Sequence, residues 1–156
     1  MLQSRHEGVI MKNYQKNILI ELRTVIDDEG DKELSIIKQK GKYYRKNDLE
    51  VITFIDEMTD VGRIDHFITI RANKVNIKRT GNITMNQQFI PGRKTDSLYR
   101  HPYGSFHMEV FTKSIQYEPL SENKEGIVQI EYDATLNGEQ VRKHHLTLIY
   151  TEEKQR

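Results

Sequence analysis

Histidines are the residues of this chain whose type and spacing come nearest to a metal or acid–base site. His144 and His145 are adjacent in an alternating run, so on a strand their side chains point to opposite faces and cannot hold one ion. His107 and Glu109 lie two residues apart and share a face, but two ligands without a third do not make a zinc site. We therefore expect neither a metal ion nor another cofactor, and we interpret the histidines as surface or partly buried residues.

Motifs for nucleophilic catalysis and phosphate binding are absent from the sequence. It contains no cysteine, no G-x-S-x-G elbow, no phosphate-binding loop and no H-E-x-x-H run. Carboxylate pairs of the glycosidase kind cannot be assigned, because their separation is a property of the folded chain. We expect a binding protein rather than an enzyme, and an enzyme whose site has no recognisable motif is the alternative.

Residues 79–112 bring together tight turns, large side chains with polar tips and an arginine. A barrel of about eight strands has an interior that side chains fill or that holds one small ligand. The candidate residues for binding an apolar or amphipathic small molecule there are Arg79, Met85, Phe89, Tyr99 and Thr112. The alternative is that Met85, Phe89 and Tyr99 belong to the core and that Arg79 pairs with an acid across a strand.

The elements that must position these residues are strands. From Asn17 onward, apolar and polar residues alternate in about ten runs that are separated by turn residues. Asn137-Gly138 between two such runs indicates a type I′ hairpin, because both central positions of that turn need positive φ. The connections are too short for crossover helices, so the sequence predicts an all-β antiparallel meander.

So many strands exceed what an open twisted sheet usually holds, which predicts closure into a barrel of about 8–10 strands. A Greek-key sandwich is the less favoured alternative, because it needs long return connections and neighbouring strands here look connected by hairpins. Gly41, inside the second run, predicts a bulge or bend at that point.

The run that follows Gly104 carries apolar residues in both alternating phases. Phe106, Met108 and Val110 favour one phase, and Phe111 and Ile115 favour the other. A strand that is apolar on both faces is typical of one buried on both sides. We therefore expect its outer face to be covered by a helix, by the N-terminal extension or by a partner.

The 156 residues, with a net charge of +1, fit a single domain. We assign residues 1–15 to a flexible N-terminal extension, residues 16–152 to the barrel and residues 153–156 to a disordered tail. Met11 reads as a start as well as Met1 does. Since the sequence shows no cysteine, signal peptide or membrane span, we expect a cytoplasmic protein.

Basic residues gather in one part of the chain. Between Arg71 and His101 there are seven Lys or Arg residues and one acid, Asp96. On a half-exposed sheet such residues keep edges soluble, and this is the interpretation that we favour. The alternative is a protein- or RNA-associated module that uses this basic outer surface. We expect no membrane and no nucleic acid as partners, and a homodimer formed through an unpaired edge strand stays open.

Five short motifs stand together along residues 17–150. They are Tyr43-Tyr44, Arg79-Thr80-Gly81 followed by Met85 and Phe89, Pro102-Tyr103-Gly104, Thr112-Lys113-Ser114-Ile115-Gln116 and Ile130-Glu131-Tyr132-Asp133. In these motifs the chain resembles the YwiB-like family of uncharacterised bacterial proteins. The resemblance implies a calycin-like, lipocalin-type β-barrel and no established activity. His101 departs from the threonine or other small residue expected before Pro102, and at a barrel mouth it would alter what enters, so we add His101 to the candidate ligand-binding residues.

Overall fold

The computed structural model describes residues 15–57 and 60–154, and these residues form ten antiparallel strands. The strands are β1 (Lys16–Asp28), β2 (Asp31–Lys46), β3 (Leu49–Asp56), β4 (Ile64–Arg71), β5 (Lys74–Gly81), β6 (Met85–Phe89), β7 (Lys94–His101), β8 (Gly104–Glu118), β9 (Gly126–Leu136) and β10 (Val141–Glu152). The predicted all-β antiparallel meander is confirmed. Residues 1–14 of the predicted extension and residues 155–156 of the predicted tail lie outside the described residues. The described part of the chain has no helix with the length and apolarity to cross a membrane.

Apart from β6 and β7, each strand pairs with its neighbours in chain order, and the meander curls until β10 meets β1. These two strands pair continuously, from Ile18 opposite Glu152 to Asp27 opposite Lys143. The remaining boundary lies between β6 and β7, where Thr84 and Arg100 exchange two backbone hydrogen bonds of 3.0 and 2.8 Å. The ten strands thus form a nearly closed barrel, and we call this boundary the β6–β7 seam.

The inward-facing residues form one continuous core. Burial alternates along the strands, as in β4, where Ile64, His66, Ile68 and Ile70 are buried and the residues between them are more exposed. Removing this apolar surface from water is the dominant favourable term in folding. Polar side chains that share the inward phase are therefore the ones that can meet inside the barrel.

Strand β8 contains a bulge that changes which of its residues face inward. The register with β9 shifts between Thr112 and Ser114. Val110 and Thr112 are buried before the shift, and Ile115 packs against the core after it. One extra residue on a bulged strand reverses the alternation that follows. The bulge accounts for Ile115, whereas Phe111 lies before the shift and faces outward between Val110 and Thr112, where it is half-buried. The cover on the outer face therefore stays a prediction.

Gly41, where the sequence predicts a bulge or bend, has no bulge. Gly41 lies opposite Ile18 on one side and Phe54 on the other without a shift in register. Its glycine is required by space instead, because a Cβ there would meet the Ile20 side chain and the Thr53 carbonyl oxygen. The hairpin prediction is confirmed, since Asn137 and Gly138 have φ values of 53° and 70°, as a type I′ turn needs.

Candidate ligand-binding site

Four side chains form a row across the inner face of β3 to β6. The strand register places Phe54 opposite His66, His66 opposite Arg79 and Arg79 opposite Met85. Directly opposite residues of antiparallel strands point to the same face, with Cβ atoms about 4.5–5.5 Å apart. The structure therefore brings together two of the residues predicted from the sequence, Arg79 and Met85. It adds His66, which lies on β4 next to Arg79.

Arg79 faces the barrel interior without an acidic partner. Its Nη1 donates a 3.0 Å hydrogen bond to Oε1 of Gln87, and no carboxylate within residues 15–57 and 60–154 lies within 4.0 Å of the guanidinium. Burial lowers the pKa of Arg79, while Tyr132 and Tyr99 act in the opposite direction. The alternative in which Arg79 pairs with an acid across a strand was wrong, because its cross-strand neighbours are a histidine and a methionine.

His66 is held neutral beside this arginine. The side chain is only 3% exposed, and its ring stacks on Phe54 with a centroid distance of 4.2 Å. Burial first, and then the nearby Arg79 charge, lower the pKa of His66 to about 3. Neither ring nitrogen has a hydrogen-bond partner among the described residues. Buried polar atoms are usually paired, so these two are available to water or to a ligand.

A second inner row lies on β8, β9 and β10. Tyr132 lies opposite both Thr112 and His144, and its ring stacks on the His144 ring at 4.7 Å. Burial raises the pKa of Tyr132 to about 12 and lowers the pKa of His144 to about 4. Thr112 is fully buried, and its hydroxyl has no partner among residues 15–57 and 60–154. Gln87 on β6 donates a 3.2 Å hydrogen bond to the sulfur of Met108 on β8, so the two rows face one another across the interior.

The remaining predicted site residues occupy different levels of the barrel. Phe89 is fully buried in the core, and its ring lies 4.8 Å from that of Tyr132. Tyr99 lies on β7 and influences the pKa of Arg79. His101 lies at the end of β7, where its ring is 6.0 Å from Tyr99 and stacks at 5.2 Å on Tyr103. We call the inward-facing group His66, Arg79, Gln87, Tyr99, Thr112, Tyr132 and His144 the interior polar cluster.

The opposite end of the barrel holds a buried carboxylate that the sequence analysis missed. Glu50 is 1% exposed and accepts four hydrogen bonds. Its donors are the hydroxyls of Tyr43, Tyr117 (2.7 Å) and Tyr150 and the backbone N–H of Leu120 (3.0 Å). Burial and the Glu50 contact raise the pKa of all three tyrosines. The sequence signal was available, since Glu50 shares the inward phase of Ile52 and Phe54.

A groove of about 900 Å³ lies across β1 to β5, and most of its lining residues face outward. Lys40, Lys42 and Lys78 lie along it, together with Ile55 and Phe67, which are 41% and 47% exposed. Asp65 and Glu153 also line the groove, but they pair with Arg63 and Lys40 at 2.9 and 3.1 Å. The groove therefore combines apolar side chains with a lysine, Lys78, that belongs to the strand carrying Arg79.

His107 and His145 each contact one carboxylate on the outer face. His107 lies 3.3 Å from Asp96, and His145 lies 3.4 Å from Glu131. Among the described residues, no group of three His, Asp or Glu side chains could hold a metal ion. His144 and His145 point to opposite faces, as their adjacency predicts.

The basic stretch between Arg71 and His101 is divided between the two faces of the sheet. Arg79 faces inward, whereas Arg71, Lys74, Lys78, Arg93, Lys94 and Arg100 are exposed. Lys94 lies 3.7 Å from Glu109 across the β7–β8 pair. One of the seven basic residues is thus withdrawn from the outer surface, and a second has an acidic neighbour.

Comparison with known proteins places the chain among barrels of unknown function. The family model described as "Domain of unknown function (DUF1934)" matches residues 20–148. The "Uncharacterized beta-barrel protein YwiB" of Bacillus subtilis (strain 168) is 31% identical over 133 residues, which cover 85% of this chain and 92% of that protein. The crystal structure of the ywiB protein from Bacillus subtilis matches with a TM-score of 0.80 and 27% identity, covering 92% of this chain and 98% of the other.

Proposed function

The chain belongs to the DUF1934 family of domains of unknown function, and we propose that its barrel binds a small amphipathic anion whose charged group pairs with Arg79. The observation that carries this proposal is an inward-facing guanidinium that has one neutral hydrogen-bond partner, Gln87, and no carboxylate partner among the described residues. A partly buried charge without a counterion is costly, and a carboxylate or phosphate is the group that a guanidinium fork fits best.

The surroundings of Arg79 support an amphipathic ligand rather than a purely polar one. The unpartnered atoms of His66 and Thr112 offer hydrogen bonds to a polar head. Met85 lies opposite Arg79 and Phe54 stacks on His66, so both offer apolar contact beside these groups, and Phe89 adds a buried ring further along β6. Binding of an anion would replace water at groups that otherwise lack partners, which is the arrangement typical of ligand sites.

The Glu50 end of the barrel determines the expected orientation of the bound ligand. The Glu50 carboxylate already accepts four hydrogen bonds, so that end offers an anion no free donor from Tyr43, Tyr117 or Tyr150. A second carboxylate there would also be repelled by the first. We therefore place the charged head at the interior polar cluster and the apolar part along the core.

The groove on the outer face favours a second candidate site for the same class of ligand. Its volume of about 900 Å³ lies within the range of small-molecule sites, and Lys78 and Phe67 offer a charge and an apolar surface. Arg79 and Lys78 are consecutive on β5 and point to opposite faces, so single substitutions at these positions separate the two sites.

The test compares Arg79→Gln with Lys78→Gln, each of which removes one positive charge from β5. The probe is 1-anilinonaphthalene-8-sulfonate, followed by its fluorescence, with octanoate and octanol as competitors. Circular dichroism and urea unfolding establish that both variants keep the wild-type fold.

We expect Arg79→Gln to weaken probe binding by at least tenfold, because a charge-assisted hydrogen bond is worth about 1.5–3 kcal/mol. Lys78→Gln is expected to change the affinity less than twofold, and octanoate is expected to displace the probe better than octanol. The reverse ranking of the two variants would move the site to the outer groove. Equal affinities for all three proteins, or no binding to the wild type, would refute the proposal.

A further inference from the structure

Strand β2 is paired along only part of one edge. Its residues 31–43 pair with β1, from Asp31 opposite Asp28 to Tyr43 opposite Lys16. Its pairing with β3 covers only residues 41–46. Among residues 15–57 and 60–154, no other strand pairs with residues 31–40 on that side. The backbone N–H and C=O groups along this edge are therefore open to another strand.

This free edge carries apolar side chains in water. Residues 31–36 are all exposed, and within them Leu34 is 60% and Ile36 is 43% exposed. Natural barrels remove edges by closure, and exposed edges are normally shielded by charge, proline or a bulge. Residues 33–37, Glu-Leu-Ser-Ile-Ile, contain only one charge and no proline, so the centre of this edge has the features of a pairing surface.

We propose that this edge of β2 is the interface with a second copy of the chain, which adds its own β2 in antiparallel orientation. A two-fold axis perpendicular to the sheet and centred on Ser35 keeps outward-facing residues outward in both copies. In that register, Leu34 of each copy lies opposite Ile36 of the other. One symmetric contact thus covers Leu34 and Ile36 in both copies.

The acids of the two copies are kept apart in the same orientation. Asp31 and Glu33 stand at one end of the edge, and Lys38 and Lys40 stand at the other. The register places Asp31 opposite Gln39 of the second copy and Glu33 opposite Ile37, so no acid lies opposite another acid. Lys32 would lie opposite Lys38, but Lys38 already has Glu21 of its own chain at 3.9 Å, which offsets that repulsion.

The first test measures the mass of the full chain in solution by light scattering over a range of concentrations. We expect the wild type to be a dimer, Ile36→Lys to weaken association at least tenfold and Leu98→Lys to change it less than twofold. Leu98 is a matched control, since it is 47% exposed on the outer face of the paired strand β7. A monomeric wild type, or a dimer that Ile36→Lys leaves intact, would overturn the proposal.

The second test uses the absence of cysteine from the sequence. In the proposed register, the two Ser35 residues lie opposite each other, at about 4.5–5.5 Å between Cα atoms, which suits a disulfide. We expect Ser35→Cys to form a covalent dimer under oxidation at least ten times faster than Ser105→Cys, an exposed serine on β8. Equal rates would reject this register. Binding of an extended peptide by a monomeric protein would assign the edge to a different partner and reject the dimer.

Discussion

The hydroxyl of Tyr150 donates a hydrogen bond to Oε1 of Glu50, a residue that lies 100 positions earlier in the chain. The same oxygen accepts from Tyr117, and the other accepts from Tyr43 and from the Leu120 backbone. Four donors on one carboxylate tie together strands β2, β3, β8 and β10 and the connection after β8. One buried side chain thus fixes the relative positions of strands that are far apart in sequence.

Glu50→Gln is expected to destabilise the protein by about 3 kcal/mol, because an amide nitrogen cannot accept two of the four hydrogen bonds and leaves buried donors unpaired. The midpoint of urea unfolding measures this effect. Glu21→Gln, on the outer face of β1, serves as the control and is expected to cost less than about 0.5 kcal/mol. Equal midpoints for the two variants would contradict the role assigned to Glu50.

The two inward-facing histidines, His66 and His144, predict a loss of stability in acid. Their folded pKa values of about 3 for His66 and about 4 for His144 lie below the ordinary 6.5. At pH values between the folded pKa and the ordinary pKa of each histidine, the unfolded chain therefore binds more protons than the folded chain. The stabilisation is complete above pH 6.5 and declines as the pH falls, by up to about 1.4 kcal/mol per pH unit for each histidine.

Replacing one of these histidines tests that cause. His66→Phe keeps a ring against Phe54, so we expect it to reduce the acid slope of the unfolding free energy between pH 6 and pH 4.5. Phe67→Leu, on the exposed outer face of β4, removes no titratable group and is expected to leave the slope unchanged. The measurement is urea unfolding at several pH values, and an unaltered slope in His66→Phe would show that other groups cause the acid sensitivity.

Gly126 is required by the ring of Tyr150. A Cβ at this position would overlap the aromatic carbons of Tyr150. We expect Gly126→Ala to cost about 2–3 kcal/mol, because it pushes the ring from its place and disturbs the hydrogen bond to Glu50. Thermal or urea unfolding of a double-mutant cycle with Tyr150→Leu checks the cause. Gly126→Ala should destabilise the Tyr150→Leu variant less than it destabilises the wild type. If the two substitutions have additive effects on stability, the overlap with the Tyr150 ring is not the cause of the destabilisation.

The β6–β7 seam is the boundary with the fewest backbone hydrogen bonds in the described sheet. A disulfide bond across this seam should therefore stabilise the barrel. Thr84 and Arg100 exchange both backbone hydrogen bonds, an arrangement in which Cα atoms lie about 5.5 Å apart. The double variant Thr84→Cys with Arg100→Cys is expected to gain about 3 kcal/mol when oxidised, since a loop of roughly 15 residues is closed. Urea unfolding with and without reductant measures the gain, and the single variant Thr84→Cys is the control. A gain that survives reduction would not come from the disulfide.

The fold was predictable because its signals are local. Alternation with a period of two, short connections and the Asn137-Gly138 turn depend on residues close in sequence, and together they allow only an antiparallel meander. The bulge after Thr112 was hidden, because a shift of register depends on the partner strand β9. The sequence showed the two phases of β8 but not their cause.

The candidate site was predictable only in part. Arg79 and Met85 were identified, and the hairpin between β5 and β6 places them opposite one another. His66 and Gln87 were missed as neighbours of Arg79, and Glu50 was missed altogether. The partners of Glu50 are 67 and 100 residues away at Tyr117 and Tyr150, so no short pattern could reveal them.

The pairing of β1 with β10 has a consequence for the growing chain on the ribosome. Ile18 emerges long before Glu152, so one edge of the first hairpin has to wait unpaired while most of the barrel is synthesised. The hydrogen bonds to Glu50 are also incomplete until then, because a nascent chain that stops short of Tyr150 lacks one of the four donors to its carboxylate. Closure of the barrel against β1 and completion of the hydrogen bonds to that carboxylate therefore both depend on the arrival of one strand, β10.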